Sequence, residues 1–325
     1  MKEEQIRPKK IFDEYLDLSK KDISIFFKNK TKKKIRCIAC KAQGKKLFIK
    51  YSFQYEYCEK CFSVYVSPRP NKKDFFNYYL NSNSSKFWAT TFYKKTADQR
   101  RKKLWKPKAK MIKNLVNKFN TSSQSKIIDI GGGYGLFGEE IRKYFKNITI
   151  IEPASHLADI CKKKGLNVIN KFLENIKLSD LPKGQKTFVS FELIEHLHDP
   201  NIFFTKMKKI MGPKDIFIFT TLSGAGIDIA ELGKKSNSIM PPYHINFYNP
   251  FSIKIFLNKL NYKVIQVSTP GKLDLDILKN NSTDINNFFM KYILNTFLNK
   301  DLNKMQKFYS NNNLSSHMMV VCKKA

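Results

Sequence analysis

The chain has 325 residues, 42% of them hydrophobic, and a formal net charge of +33. That size and apolar content suit one large globular core plus a small second unit, and no apolar run approaches the ~20 residues that cross a bilayer, which excludes an inserted span. Only six of the 60 basic residues are Arg, and the lysines are spread along the chain. A solvated Lys-rich surface is therefore favoured over a dedicated polyanion-binding face, and nucleic acid stays open as a partner without being favoured.

Residues 1–34 form a charged extension with one amphipathic stretch, Ile11 to Phe27, which reads as a peripheral helix packing on a partner subunit. The first ten residues are polar and lack the apolar core of a signal peptide, so a cytoplasmic location is expected.

Residues 35–67 carry Cys37-x2-Cys40 and, seventeen residues on, Cys58-x2-Cys61. This spacing falls in the range of a four-thiolate zinc site, with a hairpin (Lys46 to Lys50, Ser52 to Tyr57) between two metal knuckles. Four thiolates would close the shell and make the zinc structural. Cys161 and Cys322, in a predicted helix and strand, read as buried small hydrophobes. Residues 68–106 read as a helical linker, and the helical pattern from Phe87 to Phe119 is expected to break at Pro107.

From residue 107 to the C-terminus the pattern changes. Strand and helix alternate: 126–130, 136–145, 148–151, 154–164, 167–169, 172–176, 187–191, 201–211, 216–221. Such alternation predicts an α/β fold, a Rossmann-like seven-stranded and mostly parallel sheet with helices on both faces. Its ligands should collect at the carboxyl ends of the strands. Leu222 to Ile245 is too long for an ordinary connection and reads as a lid or a disordered loop. Then come a helix (250–260), a strand (262–269), an Asn-rich helical insertion at about 271–312 and a last strand (316–321).

The strand Lys126 to Ile130 runs into Asp129-x-Gly131-x-Gly133-x-Gly135, a backbone cradle at a helix N-terminus. Two readings compete. Gly133 to Gly138 is G-x-G-x-x-G with Glu152 about twenty residues on, as in a dinucleotide site. Asp129 argues against that, because a carboxylate there would repel a pyrophosphate.

The Asp129-x-Gly131-x-Gly133-x-Gly135 pattern is similar to motif I of class I S-adenosylmethionine-dependent methyltransferases. The run Glu192-Leu193-Ile194-Glu195-His196-Leu197-His198-Asp199-Pro200 resembles the segment after strand four of ubiquinone-biosynthesis-type methyltransferases. Residues 36–80 resemble the N-terminal zinc module of one group of these enzymes, in which the second Cys pair runs into a "vyvsPRP" segment and a "YY" helix. The resemblance covers roughly residues 36–269. It implies that Asp129, Gly131, Gly133, Gly135 and Glu152 bind S-adenosyl-L-methionine, Glu152 through the ribose hydroxyls. It further implies that Glu192 lies near the methionine end and that Glu195 and His196 face the acceptor. The acid or amide usual after strand three is replaced by Asn170-Lys171-Phe172, so adenine would rest on Phe172. The last strand would pair antiparallel between the two that precede it.

His244, in Pro241-Pro242-Tyr243-His244, is a second candidate base beside His196, against the plainer reading of a hydrogen-bonded core histidine. The leading function is methyl transfer to a small-molecule acceptor, an anionic sugar nucleotide or glycan precursor suiting the basic surface. The alternatives are an RNA base methyltransferase gripping phosphate through the ribbon, an NAD-dependent oxidoreductase, and a cofactor-binding adaptor without activity. Nothing in the sequence speaks to the oligomeric state.

Overall fold

The computed structural model describes residues 1–119 and 125–325. A small antiparallel sheet opens the fold: β1 (Lys45–Lys50), β2 (Phe53–Tyr57) and β3 (Val64–Val66). The large sheet follows, with β4 (Lys126–Ile130), β5 (Ile148–Ile151), β6 (Asn167–Ile169), β7 (Lys186–Phe191) and β8 (Ile216–Leu222). After β9 (Asn246–Phe247) come β10 (Tyr262–Ser268) and β11 (His317–Lys324).

The seven-stranded order is β10-β11-β8-β7-β4-β5-β6. Six strands run in one direction, and β11 runs antiparallel between β8 and β10, as the resemblance implied. The order reverses at β4: the chain passes to β5 on one side and later to β7 on the other. The carboxyl end of β4 is thus the switch point where such sheets hold ligands. The central strands read as continuous apolar runs because both their faces are covered.

Four expectations are corrected. The helix Lys9–Phe27 is built into the core of its own chain rather than peripheral: Phe12, Tyr15, Leu16, Ile23 and Phe27 join Phe53, Tyr55, Val66, Tyr78 and Phe92 in one apolar cluster. The helix does not break at Pro107. Helical backbone is continuous from Asn83 through Lys106–Phe119, with wide π-type turns at Trp88–Phe92 and Arg101–Trp105. The second of these turns opens the backbone where the proline ring would otherwise meet the carbonyl four residues earlier. Residues 172–176 form one 3-10 turn, Leu173–Asn175, rather than a helix.

The fourth correction concerns Leu222 to Ile245, which is packed rather than a disordered loop. It contains the helix Ile227–Leu232 and buries Ile239, Met240, Tyr243 and Ile245. It leads directly into β9, which pairs antiparallel with β3 (Asn246 opposite Tyr65, Phe247 opposite Val64) and supplies a fourth strand to the small sheet. The Val66 amide donates to the Ile245 carbonyl at 3.0 Å, and the Ile245 amide donates to the Glu195 carbonyl at 2.9 Å. The ribbon is therefore hydrogen-bonded through Ile245 to the segment after β7.

Candidate functional site

The glycine loop after β4 takes the conformation that only glycine adopts readily: φ is +54° at Gly133 and +72° at Gly135. A Cβ at Gly135 would lie 2.8 Å from Cys161 Sγ, so the helix that follows could not pack as it does. Gly133 is different, since nothing lies within 4 Å of where its Cβ would be. That open side is the cradle. Its amide donates to Glu152 Oε2 at 2.9 Å, while Ala154 donates to Oε1 at 2.9 Å. Glu152 at the end of β5 is thereby fixed beside the loop with lone pairs to spare.

Asp129 is 1% exposed and its Oδ2 has no hydrogen-bond partner. Burial, with Glu152 adding to it and Lys108 opposing it, pushes its pKa up to about 7. A buried carboxylate without a donor is costly unless a ligand brings one. The ammonium of S-adenosylmethionine is such a donor, so the donor set and the open glycine fit that cofactor. Phe172 is 41% exposed and sits 5.6 Å from Phe76, itself 43% exposed, at the β6 end of the same edge. Phe76 lies in the "YY" helix of the zinc-module resemblance, but nothing in that pattern pointed it at the adenine side of the sheet. Asn170 is committed to backbone, donating to the carbonyls of Glu152 and Pro153.

The segment after β7 brings three of the predicted residues together. Glu192 adopts φ +52°, accepts from Thr220 Oγ1 at 2.7 Å and pairs with His317 at 3.2 Å and Lys108 at 3.9 Å. Burial opposes its ionisation, but His317 and Lys108 outweigh that and hold it well below the usual carboxylate range. Glu195 is fully buried, accepts from Thr221 Oγ1 at 2.7 Å, and leaves Oε1 without a partner. Burial first, and then the neighbouring Glu192, push its pKa well above the usual carboxylate range.

His196 Nδ1 lies 3.0 Å from the Tyr243 carbonyl, and His244 Nδ1 lies 2.6 Å from the Ser238 carbonyl. A carbonyl only accepts, so each Nδ1 holds the proton and each Nε2 keeps its lone pair. Burial keeps both rings neutral, lowering His196 and taking His244, with His196 beside it, down to about 3. One ligating atom from each of Glu195, His196 and His244 lies within 4.8 Å of the others. Such a trio suits proton transfer and has the donors for a divalent cation. His198 stands apart, its Nε2 2.9 Å from the Pro70 carbonyl, and Asp199 caps the next helix.

The four predicted metal ligands also converge. Cys37 and Cys61 sulfurs are 3.4 Å apart, as are those of Cys40 and Cys58, and all four lie within 4.8 Å of one another. Tetrahedral zinc thiolate sites require sulfur separations of about 3.8 Å, so the donor set fits zinc. The knuckles are tied to the large domain: Asn249 Nδ2 donates to the Cys61 carbonyl at 2.9 Å, and Lys259 Nζ donates to that of Cys40 at 2.8 Å.

Arg69 joins these parts. Buried among them, it donates to the carbonyls of Val66 (3.0 Å) and His198 (2.8 Å) and to Asn246 Oδ1 (3.1 Å). Tyr55 of the ribbon donates its hydroxyl to the His244 carbonyl at 2.7 Å. Neither link is visible in a motif.

A family model described as methyltransferase domain matches residues 93–267. The chain is 23% identical over 123 residues to a ubiquinone biosynthesis O-methyltransferase of Pasteurella multocida (strain Pm70), covering 34% of this chain and 51% of that protein. It thus spans about half the length of that curated relative. Among solved structures, the plantazolicin methyltransferase BpumL in complex with S-adenosylhomocysteine (SAH) superimposes with a TM-score of 0.50. It has 12% identity and covers 77% of this chain and 94% of its own. A Thermotoga maritima S-adenosylmethionine-dependent methyltransferase, described as a possible histamine N-methyltransferase, gives 15% identity and a TM-score of 0.44. That match covers 72% of this chain and 98% of the other.

Proposed function

We propose, from the premise that this chain belongs to the methyltransferase-domain family of class I S-adenosylmethionine-dependent enzymes, that it methylates a small-molecule acceptor of the sugar-nucleotide or glycan-precursor kind. The observation that carries the acceptor side is the trio of buried Glu195 and half-buried His196 and His244, with two neutral imidazoles at the sheet edge that holds Asp129 and Glu152.

In this reading Asp129 meets the cofactor's ammonium and Gly131, Gly133 and Gly135 present backbone to it. Glu152 accepts from the ribose hydroxyls, Phe172 with Phe76 covers the adenine, and Glu192 bounds the methionine end. When bound, the cofactor supplies a methyl carbon made electrophilic by its sulfonium. The protein's own contribution is positioning, plus removal of a proton when the nucleophile is a hydroxyl. His196 Nε2 takes that proton, its ring oriented by the Tyr243 carbonyl, with His244 and Glu195 beside it. Cys37, Cys40, Cys58 and Cys61 hold a structural zinc with no open position for water.

An RNA-base acceptor is disfavoured because the ribbon is poor in arginine, the favoured reader of phosphates and bases. The dinucleotide alternative requires a pyrophosphate next to the buried Asp129. Titration with SAH followed by radiolabelled methyl transfer to a panel of sugar nucleotides tests the proposal. SAH binding without transfer to any member of the panel would sink the acceptor class.

A further inference from the structure

Two of the chain's six arginines, far apart in sequence, come together beside this site. Arg7 precedes the N-terminal helix and Arg100 lies in the long helical run. Arg7 sits 5.7 Å from the Phe12 ring and Arg100 5.9 Å from the Phe92 ring, and these rings are 6.2 Å apart. Arg100 Nη1 is 3.5 Å from the carbonyl of Ile6, the residue before Arg7. On its other side the Arg100 guanidinium rests on Tyr93 at 4.9 Å, and Tyr93 stacks on Tyr134 of the glycine loop at 5.4 Å and 17°.

Of the two cations Arg100 is the under-balanced one, since Glu3, Glu192 and Asp228 all act on Arg7. Arg7 has Glu3 at 3.7 Å. Arg100 has a buried Nε without a partner and, among the described residues, no carboxylate at ion-pair distance. Lys108, further along the same helical run, is answered by Glu192 at 3.9 Å. Two guanidiniums brought together on aromatic faces repel each other, and a buried donor left unpaired is costly. Both costs vanish when an anion bridges them, and the planar fork of Arg matches the oxygens of phosphate or carboxylate. The location is the acceptor's side: the charge of Arg7 bears on His244 and that of Glu192 bears on Arg7.

We propose that Arg7 and Arg100 form an anion-binding subsite that grips a phosphate or carboxylate group of the acceptor, so that the N-terminal extension completes the substrate site. The proposal rests on the methyl-transfer reading and narrows it to an anionic acceptor.

The test uses the full chain saturated with SAH and titrated calorimetrically with inorganic pyrophosphate and, separately, with succinate. An ionic strength of about 0.15 M screens the exposed lysines. One of the two anions is expected to bind at one site per chain, pyrophosphate indicating a phosphate handle and succinate a carboxylate handle. In the Arg7→Ala/Arg100→Ala double variant that binding should weaken by about tenfold or more while SAH affinity is unchanged. Should the double variant lose its fold, Arg100→Gln alone is judged by the same criterion. Binding of neither anion by the wild-type protein, or binding equally tight in the variant, overturns the proposal. Failure of the wild-type protein to bind SAH would instead overturn the methyl-transfer reading.

Discussion

The rings of His196 and His244 face each other with centroids 4.9 Å apart and planes at 44°. Each is aimed by something outside its own segment. The Tyr243 carbonyl fixes His196, and Tyr55 of the zinc-ribbon sheet holds the His244 backbone. The candidate chemistry thus depends on a module whose four-cysteine cluster lies elsewhere.

Replacing His196 with Ala should lower turnover by about 10²–10⁴-fold, the range for loss of a general base. SAH affinity should stay within about twofold of wild type, since no cofactor contact is assigned to this ring. Because burial lowers the pKa of His196, the wild-type rate should hold its plateau as pH falls through about 6.5, the ordinary imidazole value. A variant that turns over at the wild-type rate would remove His196 from the mechanism.

Asp129→Asn should act on stability and binding in opposite directions. The folded pKa of about 7 lies above the ordinary 3.8, so stability is lost as pH rises between those values and the loss is complete above about 7. Removing the charge should stabilise the cofactor-free protein at pH 8 by about 1–3 kcal/mol, with little effect at pH 4. SAH affinity should fall by about tenfold or more. Thermal melts at the two pH values, with and without SAH, read all three effects.

His244 titrates with the opposite sign. Its folded pKa of about 3 lies below the ordinary 6.5, so its contribution is full above about 6.5 and is lost as pH falls toward 3. His244→Asn should therefore flatten the acid limb of the stability curve between those values. Urea denaturation at pH 7.5 and 5 measures it, and an unchanged pH dependence would show that the ring is not desolvated.

Purified protein should carry one zinc per chain, and chelation should lower Tm by about 10 °C or more, since closing such a site contributes directly to folding. Cys58→Ser should do the same. Because β9 and Tyr55 tie the ribbon to His244, the chelated protein should also lose turnover. Zinc analysis with a melt before and after chelation provides the check.

Arg69→Met should cost about 3 kcal/mol, because it orphans three acceptors in a buried junction. Arg69→Lys should rescue little, since one ammonium cannot reach acceptors on three separate segments. Chemical denaturation of the two variants decides the point, and full stability of Arg69→Lys would contradict it.

The large sheet was legible because its information is local. The apolar strands, the glycines of the β4 loop and the paired cysteines each write a short-range pattern that physics constrains to few outcomes. The alternation from 126 to 221 dictated a parallel sheet before any contact was known. Asp129, Glu152 and the Glu192–His196 run could be assigned to one edge on that basis alone, because they lie at the carboxyl ends of parallel strands.

What only the tertiary structure decided depends on segments far apart in sequence. β9 is two residues long and has no periodicity to announce it, yet it joins the ribbon to the large domain and turns a presumed lid into packed structure. Phe76, Tyr55, Arg7 and Arg100 lie in helices, hairpins and an extension whose local patterns say nothing of what they meet. A strand or a turn is specified by neighbours along the chain, whereas a site assembled across 240 residues is specified by burial, which a sequence states only as a composition.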